Sequence, residues 1–160
     1  MTSEKAYDVE ARFNAHMFAH LASAVGSSPS LGTSMSTCMS AAIPLAGVTY
    51  VVRGVLLINA QSSGGTLSYR ANPSGGLTAS SSRIAWAELN GTSVGVVAMN
   101  GIGNTITGSA IGGGLADRMV IFDGTINASV PGTINIQAAL SSGSATAYAA
   151  GSHLDVWQMT

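Results

Sequence analysis

Residues 117–159 read DRMVIFDGTINASVPGTINIQAALSSGSATAYAAGSHLDVWQM, and this stretch decides the fold class. Met119, Val120, Ile121 and Phe122 form a short apolar run. Asp123-Gly124 follows, a pair that lets the backbone turn or bulge. Val130-Pro131-Gly132-Thr133 predicts a type II turn, with proline fixing φ at the second position and glycine free to take a positive φ at the third. Residues 133–137 then alternate polar and apolar at period two, as a strand with one wet face does. Residues 145–148 and 154–159 read as two closing strands with Gly151-Ser152 between them. In the second, Leu154, Val156 and Gln158 face one way, and Asp155, Trp157 and Met159 the other. Such a set of hairpins leaves an apolar face that needs a second sheet.

The preceding residues supply it. Residues 48–59, VTYVVRGVLLIN, are the most strongly β-biased segment, rich in branched and aromatic side chains. Near-continuous apolarity predicts a central strand covered on one face by a sheet and on the other by a second subunit. Residues 37–42, 66–70, 83–89, 94–99 and 102–111 are further strands. Turns fall at Pro44 to Gly47, at Asn72-Pro73-Ser74-Gly75-Gly76, and at Asn90-Gly91, the dipeptide of a type I′ hairpin. Asn100-Gly101 repeats that signal. Eight to ten short strands so spaced predict an all-β chain, a single β-sandwich or jelly roll over residues 37–160.

The first 25 residues differ. Glu4, Lys5, Asp8, Glu10 and Arg12 place five charges in twelve positions of a chain that is only 8 % charged. Val9, Phe13, Met17, Leu21 and Val25 recur every four residues with Phe18 beside them, which predicts a helical arm over 1–26. Gly26 is its natural stop. A strand is the competing reading, because Tyr7, Val9, Ala11, Phe13, Ala15 and Met17 also alternate with other residues. Residues 27–36 read as a linker.

Composition narrows the function. A chain of 160 residues suits one domain that buries ~70 % of its extended surface. Twenty glycines, sparse charge and a net charge of −1 speak for a covered, assembled surface, and against a nucleic-acid or anionic membrane partner. One cysteine, Cys38, allows no intrachain disulfide and reads as a buried, inert thiol. The N-terminal residues lack an apolar core of the signal-peptide kind, which places the chain inside a cell or in a particle assembled there.

Chemistry-bearing motifs are few. His16 and His20 share a side of a helix but lack the further ligands of a zinc site, and Met17 stands where an HExxH motif needs glutamate. His153, Asp155 and an abundant serine can be written as a triad, but no GxSxG elbow presents the nucleophile. Glycines at 101, 103 and 112–114 make no phosphate-binding loop. Asn90-Gly91-Thr92 and Asn127-Ala128-Ser129 match the glycosylation sequon without a route to that machinery. Asp117, Asp123 and Glu88 are dispersed. No enzyme, metal or cofactor is expected. Tyr50, Tyr69, Trp86, Tyr148 and Trp157 are candidates for the core or a trimer seam, where aromatic area counts most.

Two segments, 49–76 (TYVVRGVLLINA…GGTLSYRANPSGG) and 118–159 (RMVIFDGTINASVPGTINIQAALSSGSATAYAAGSHLDVWQM), resemble the small β-sandwich proteins of tailed-phage virions. Those build a jelly roll similar to tumour necrosis factor and C1q heads. The likeness spans roughly residues 36–159 and rests on strand pattern and the Gly-Ser before the last strand. It implies a homotrimer in the virion, either decorating the capsid or heading a tail fibre. The capsid role follows from the lack of a coiled coil or repetitive shaft before the head. On that reading the arm docks on the major capsid protein through Val9, Phe13, Met17, Phe18 and Leu21. The alternative is a receptor-binding head that recognises host glycan through Trp86, Asn100 and Asn104.

Overall fold

The structure, a computed structural model, describes residues 16–20, 30–60, 65–90, 93–110 and 117–159. Among these every regular element is a strand: β1 (His16–His20), β2 (Ser30–Leu31), β3 (Ser36–Ile43), β4 (Val48–Ala60), β5 (Thr66–Ser74), β6 (Thr78–Asn90), β7 (Ser93–Asn100), β8 (Ile106–Ala110), β9 (Asp117–Val130), β10 (Gly132–Leu140) and β11 (Ala145–Gln158). They form two antiparallel sheets around one core. The large sheet runs β1-β11-β4-β9-β6-β7, with β2 also on β11, and the small sheet runs β3-β10-β5-β8. The all-β sandwich expected of residues 37–160 is present, and it extends to strands before residue 37.

Four local expectations are corrected. Residues 16–20 are a strand, not helix: β1 pairs along β11 from His16–Trp157 to His20–His153. The strict alternation that competed with the helical stripe wins there, because β11 offers β1 an open sheet edge to satisfy its backbone. Second, β9, β10 and β11 are not a hairpin meander. β9 lies in the large sheet, β10 in the small one and β11 in the large one again, so each connection crosses the sandwich. Gly132 consequently takes no positive φ, and the type II turn is absent. Instead a Cβ there would press on the Leu77 backbone. Third, Asp123-Gly124 neither turns nor bulges: β9 runs straight through it. Gly124 is needed because a Cβ would strike the backbone of Arg83 and Ile84 on β6.

Fourth, the two closing strands are one, interrupted by a bulge. Tyr148 faces Leu57 and His153 faces Val55, so four residues of β11 oppose Leu56 alone. Gly151 takes φ +86°, which glycine adopts without strain. Leu57 N–H donates to the Ser152 hydroxyl oxygen at 3.0 Å, and Ser152 is buried. Ser152→Ala removes that acceptor, so a loss of about 1–2 kcal/mol in thermal or urea unfolding is expected. Stability equal to the parent's would show that water replaces the hydroxyl.

Strand alternation places the core. On β4 the even-numbered residues Tyr50, Val52, Leu56 and Ile58 are buried, and on β9 Val120, Phe122, Ile126 and Ala128. They meet Leu67, Tyr69, Ile134 and Ile136 from the small sheet. Tyr69, Trp86 and Phe122 form a chain of rings across the middle, with centroids 5.3 Å apart at each step. Phe122 lies over Gly54, where any Cβ would collide with its ring. β6 and β7 pair as the expected hairpin as far as Asn90 opposite Ser93, and the two residues between them lie outside the described ones. The second Asn-Gly makes no hairpin: after Asn100 the chain crosses to β8 in the small sheet.

Candidate interaction face

The outward residues of the large sheet fall into rows, because cross-strand partners share a face. One row runs Leu57 (β4), Met119 (β9), Leu89 (β6), Val94 (β7). The next runs His153 (β11), Val55, Ile121, Ala87, Val97. A third runs Asp155, Arg53, Asp123, Ala85, Met99, and a fourth runs Trp157, Val51, Thr125, Arg83. Val97, Met99 and Val94 are 75 %, 63 % and 61 % exposed, while Val51, Val55, Leu57, Leu89 and Ile121 are half-buried. Two of the four rows are therefore apolar almost end to end. At the end of the face a shallow depression of about 310 Å³ is lined by Leu57, Leu89, Asp117, Arg118 and Met119. A water-facing sheet normally carries polar residues in this phase.

Within these four rows charge is confined to the third and fourth, and Asp117 adds a carboxylate beyond them at the end of the face. Arg53 Nη2 donates to Asp123 Oδ2 at 2.8 Å, and the guanidinium stands 5.7 Å from the Trp157 ring centroid. The hydrogen bond to Asp123, then its charge, hold the Arg53 proton more tightly than usual.

The candidate aromatic residues separate. Tyr50, Tyr69 and Trp86 are buried within the subunit, so they belong to the core rather than a seam. Trp157 is half-buried on the outward face. The Tyr148 side chain lies outside the described residues, as do the side chains of Met17 and Phe18 and all of Val9, Phe13 and Leu21. Burial also removes Trp86 as a stacking platform for glycan. Its Nε1–H donates to Asn100 Oδ1 at 3.0 Å, and Asn100 Nδ2 donates to the Asn104 carbonyl at 2.9 Å, so these three hold a loop against the core.

The remaining chemistry candidates do not converge. Ser152 points inward while His153 and Asp155 point outward, so these three do not converge. Cys38 sits at a bulge where β3 skips a partner on β10. Burial pushes its thiol up to about 12, only partly offset by a backbone hydrogen bond. No group of three or more His, Cys, Asp or Glu side chains is gathered for a metal among the described residues. The chain matches no family model, no curated protein and no solved structure with which it was compared.

One feature escaped the sequence reading. Glu88 on β6 and Arg118 on β9 are fully buried between the sheets, at 0 % and 2 % exposure. Arg118 Nε stands 3.5 Å from Glu88 Oε1, and Nη2 donates to the Ala110 carbonyl at 3.3 Å. The carboxylate also accepts the Ser109 N–H at 3.0 Å and the Ser109 hydroxyl. Gly108 makes room, since a Cβ there would collide with Glu88 Oε2. Among the described residues Arg118 Nε, Arg118 Nη1 and the Tyr69 hydroxyl lack hydrogen-bond partners. Burial first, then the Glu88 charge, push the Tyr69 phenol well above its usual range, so it stays neutral. The signal was legible in phase: Ile84, Trp86 and Glu88 alternate inward, as do Arg118, Val120 and Phe122. These groups tie β6 and β9 to β8 across the core, and Arg118 also reaches the wall of the depression at the end of the face.

Proposed function

We propose that this chain is a non-enzymatic structural subunit, a homotrimeric jelly roll that decorates the capsid of a tailed-phage virion. The observation that carries the reading is the outward face of the large sheet. A free subunit would leave Val94, Val97 and Met99 in water on an edge strand, an invitation to non-specific association. Covering the face with further copies of the same chain removes that liability and buries Val55, Leu57, Met119 and Ile121 as well.

Strand order supports the jelly-roll part. With β2 and the β6–β7 hairpin set aside, eight strands remain. Counted in chain order they run first-last-third-sixth in one sheet and second-seventh-fourth-fifth in the other. That wrapped order is the double Greek key of a jelly roll. The virion role rests on the resemblance of residues 49–76 and 118–159 to virion sandwich proteins. Since β1 is committed to β11, docking on the major capsid protein falls to residues 1–15, with Val9 and Phe13.

Light scattering of the purified chain tests the assembly, with a trimer expected. Val97→Glu, which places a charge at the most exposed apolar position, should dissociate it while leaving the circular dichroism spectrum unchanged. A parent protein that stays monomeric at every concentration would sink the reading. Deleting residues 1–15 should leave the trimer intact and abolish binding to capsids. Undiminished decoration would remove the docking role of that segment.

A further inference from the structure

We propose that the subunits join head to tail, the β6–β7 flank of one copy seating on the β11 flank of the next, with Arg83 of one copy paired to Asp155 of its neighbour. The inference rests on the reading of the large-sheet face as a contact between copies, and supplies the register of that contact.

Charge on the face is unevenly matched. Asp155, Arg53 and Asp123 stand side by side across β11, β4 and β9. Arg53 bonds Asp123 and is drawn only more weakly by the charge of Asp155 opposite it, so Asp155 is a half-buried carboxylate that closes no ion pair among the described residues. Arg83, exposed on β6 opposite Thr125, likewise has no ion pair there. Three strand spacings separate β6 from β11, about 14 Å, so the two cannot satisfy each other within one subunit. A ring of three identical copies requires each chain to carry two different, mutually complementary patches. The opposite flanks of this face provide them: Arg83 beside the exposed Met99, Val97 and Val94, and Asp155 beside Trp157, Val51 and His153, neither closing an ion pair among the described residues. Seating one flank on the other covers the apolar residues of both and pairs the charges at their margin. A pair so placed selects register and partner more than it adds affinity.

The test uses the full chain and charge reversal. Sedimentation over a concentration series is measured for the parent, for Arg83→Glu, for Asp155→Arg and for the double variant. Each single reversal should raise the trimer dissociation midpoint about tenfold or more, and the double should return it to within about threefold of the parent. A single variant that had merely lost its fold would not be restored by a second charge change, so restoration separates pairing from folding. Singles that assemble like the parent, or a double no better than the worse single, overturn the pair while leaving the face reading intact. A parent dimer overturns the head-to-tail arrangement, and a parent monomer overturns the face reading itself.

Discussion

Arg118→Met lowers the stability of the protein by about 3–5 kcal/mol, the range for leaving a fully buried charge without its partner. Glu88 is the group left behind. Its carboxylate keeps the Ser109 N–H and hydroxyl, but no cation remains beside it in a site from which water is excluded. Removing both charges is gentler: Glu88→Leu with Arg118→Met fills the same space with apolar atoms. Recovery is expected to be incomplete, because the Ser109 N–H then has no acceptor, a loss of about 1–3 kcal/mol. The double variant therefore falls between the parent and Arg118→Met. Urea unfolding reads all three, with midpoints moving and the slope m constant if only stability has changed. A single-variant loss below about 1 kcal/mol would mean that the pair is hydrated rather than dry.

Trp86→Ala is the second large effect, about 3–5 kcal/mol. Trp86 heads the fully buried side chains by volume and is the middle ring between Tyr69 and Phe122. Truncation leaves a cavity at the point where the sheets meet, and the surrounding strands are pinned by ladders on both sides, so collapse is restricted. Trp86→Phe separates packing from hydrogen bonding. It keeps a ring in the stack but frees Asn100 from Nε1, and about 1–2 kcal/mol is expected from the smaller ring and the lost bond together. Intrinsic fluorescence provides the second readout. Without Trp86 the emission comes from half-buried Trp157 alone and shifts to the red. A Trp86→Ala protein as stable as the parent would contradict the placement of this ring at the centre of the core.

The strand content was legible because side-chain alternation is local. Residues 133–137 announce their buried face without reference to any partner, and residues 48–59 announce a strand through their branched and aromatic content. Which strand lies beside which was not legible: Val130-Pro131-Gly132 reads the same whether it closes a hairpin or carries the chain to the opposite sheet. Its glycine answers to the close approach of Leu77, a residue more than fifty positions away. Residues 16–20 depart from the helical expectation for a related reason. Residues 16–20 carry both a helical and a strand periodicity, and only the free edge of β11, contributed by the far end of the chain, decides between them. The outward face of β4 was anticipated from its unbroken apolarity, whereas the matching face of β6 and β9 emerged only once register aligned Ala87, Ile121 and Val55. Glu88 and Arg118 were each visible as a charge in an inward phase, but not as a pair.

The crossing of the sandwich at successive connections has a consequence for how the molecule is made. β10 lies between β3 and β5, and β11 lies between β1 and β4, so the two described strands latest in the sequence occupy interior positions in both sheets. Tyr50 must wait for Gln158 and Ile43 for Gly132. Contacts this distant in sequence make for slow folding, in the millisecond-to-second range. The two sheets cannot close before β10 and β11 have emerged, and the proposed association face, whose β11 flank lies latest in the sequence, forms only then. Synthesis order thus acts as a checkpoint, delaying any such assembly until β11 is in place.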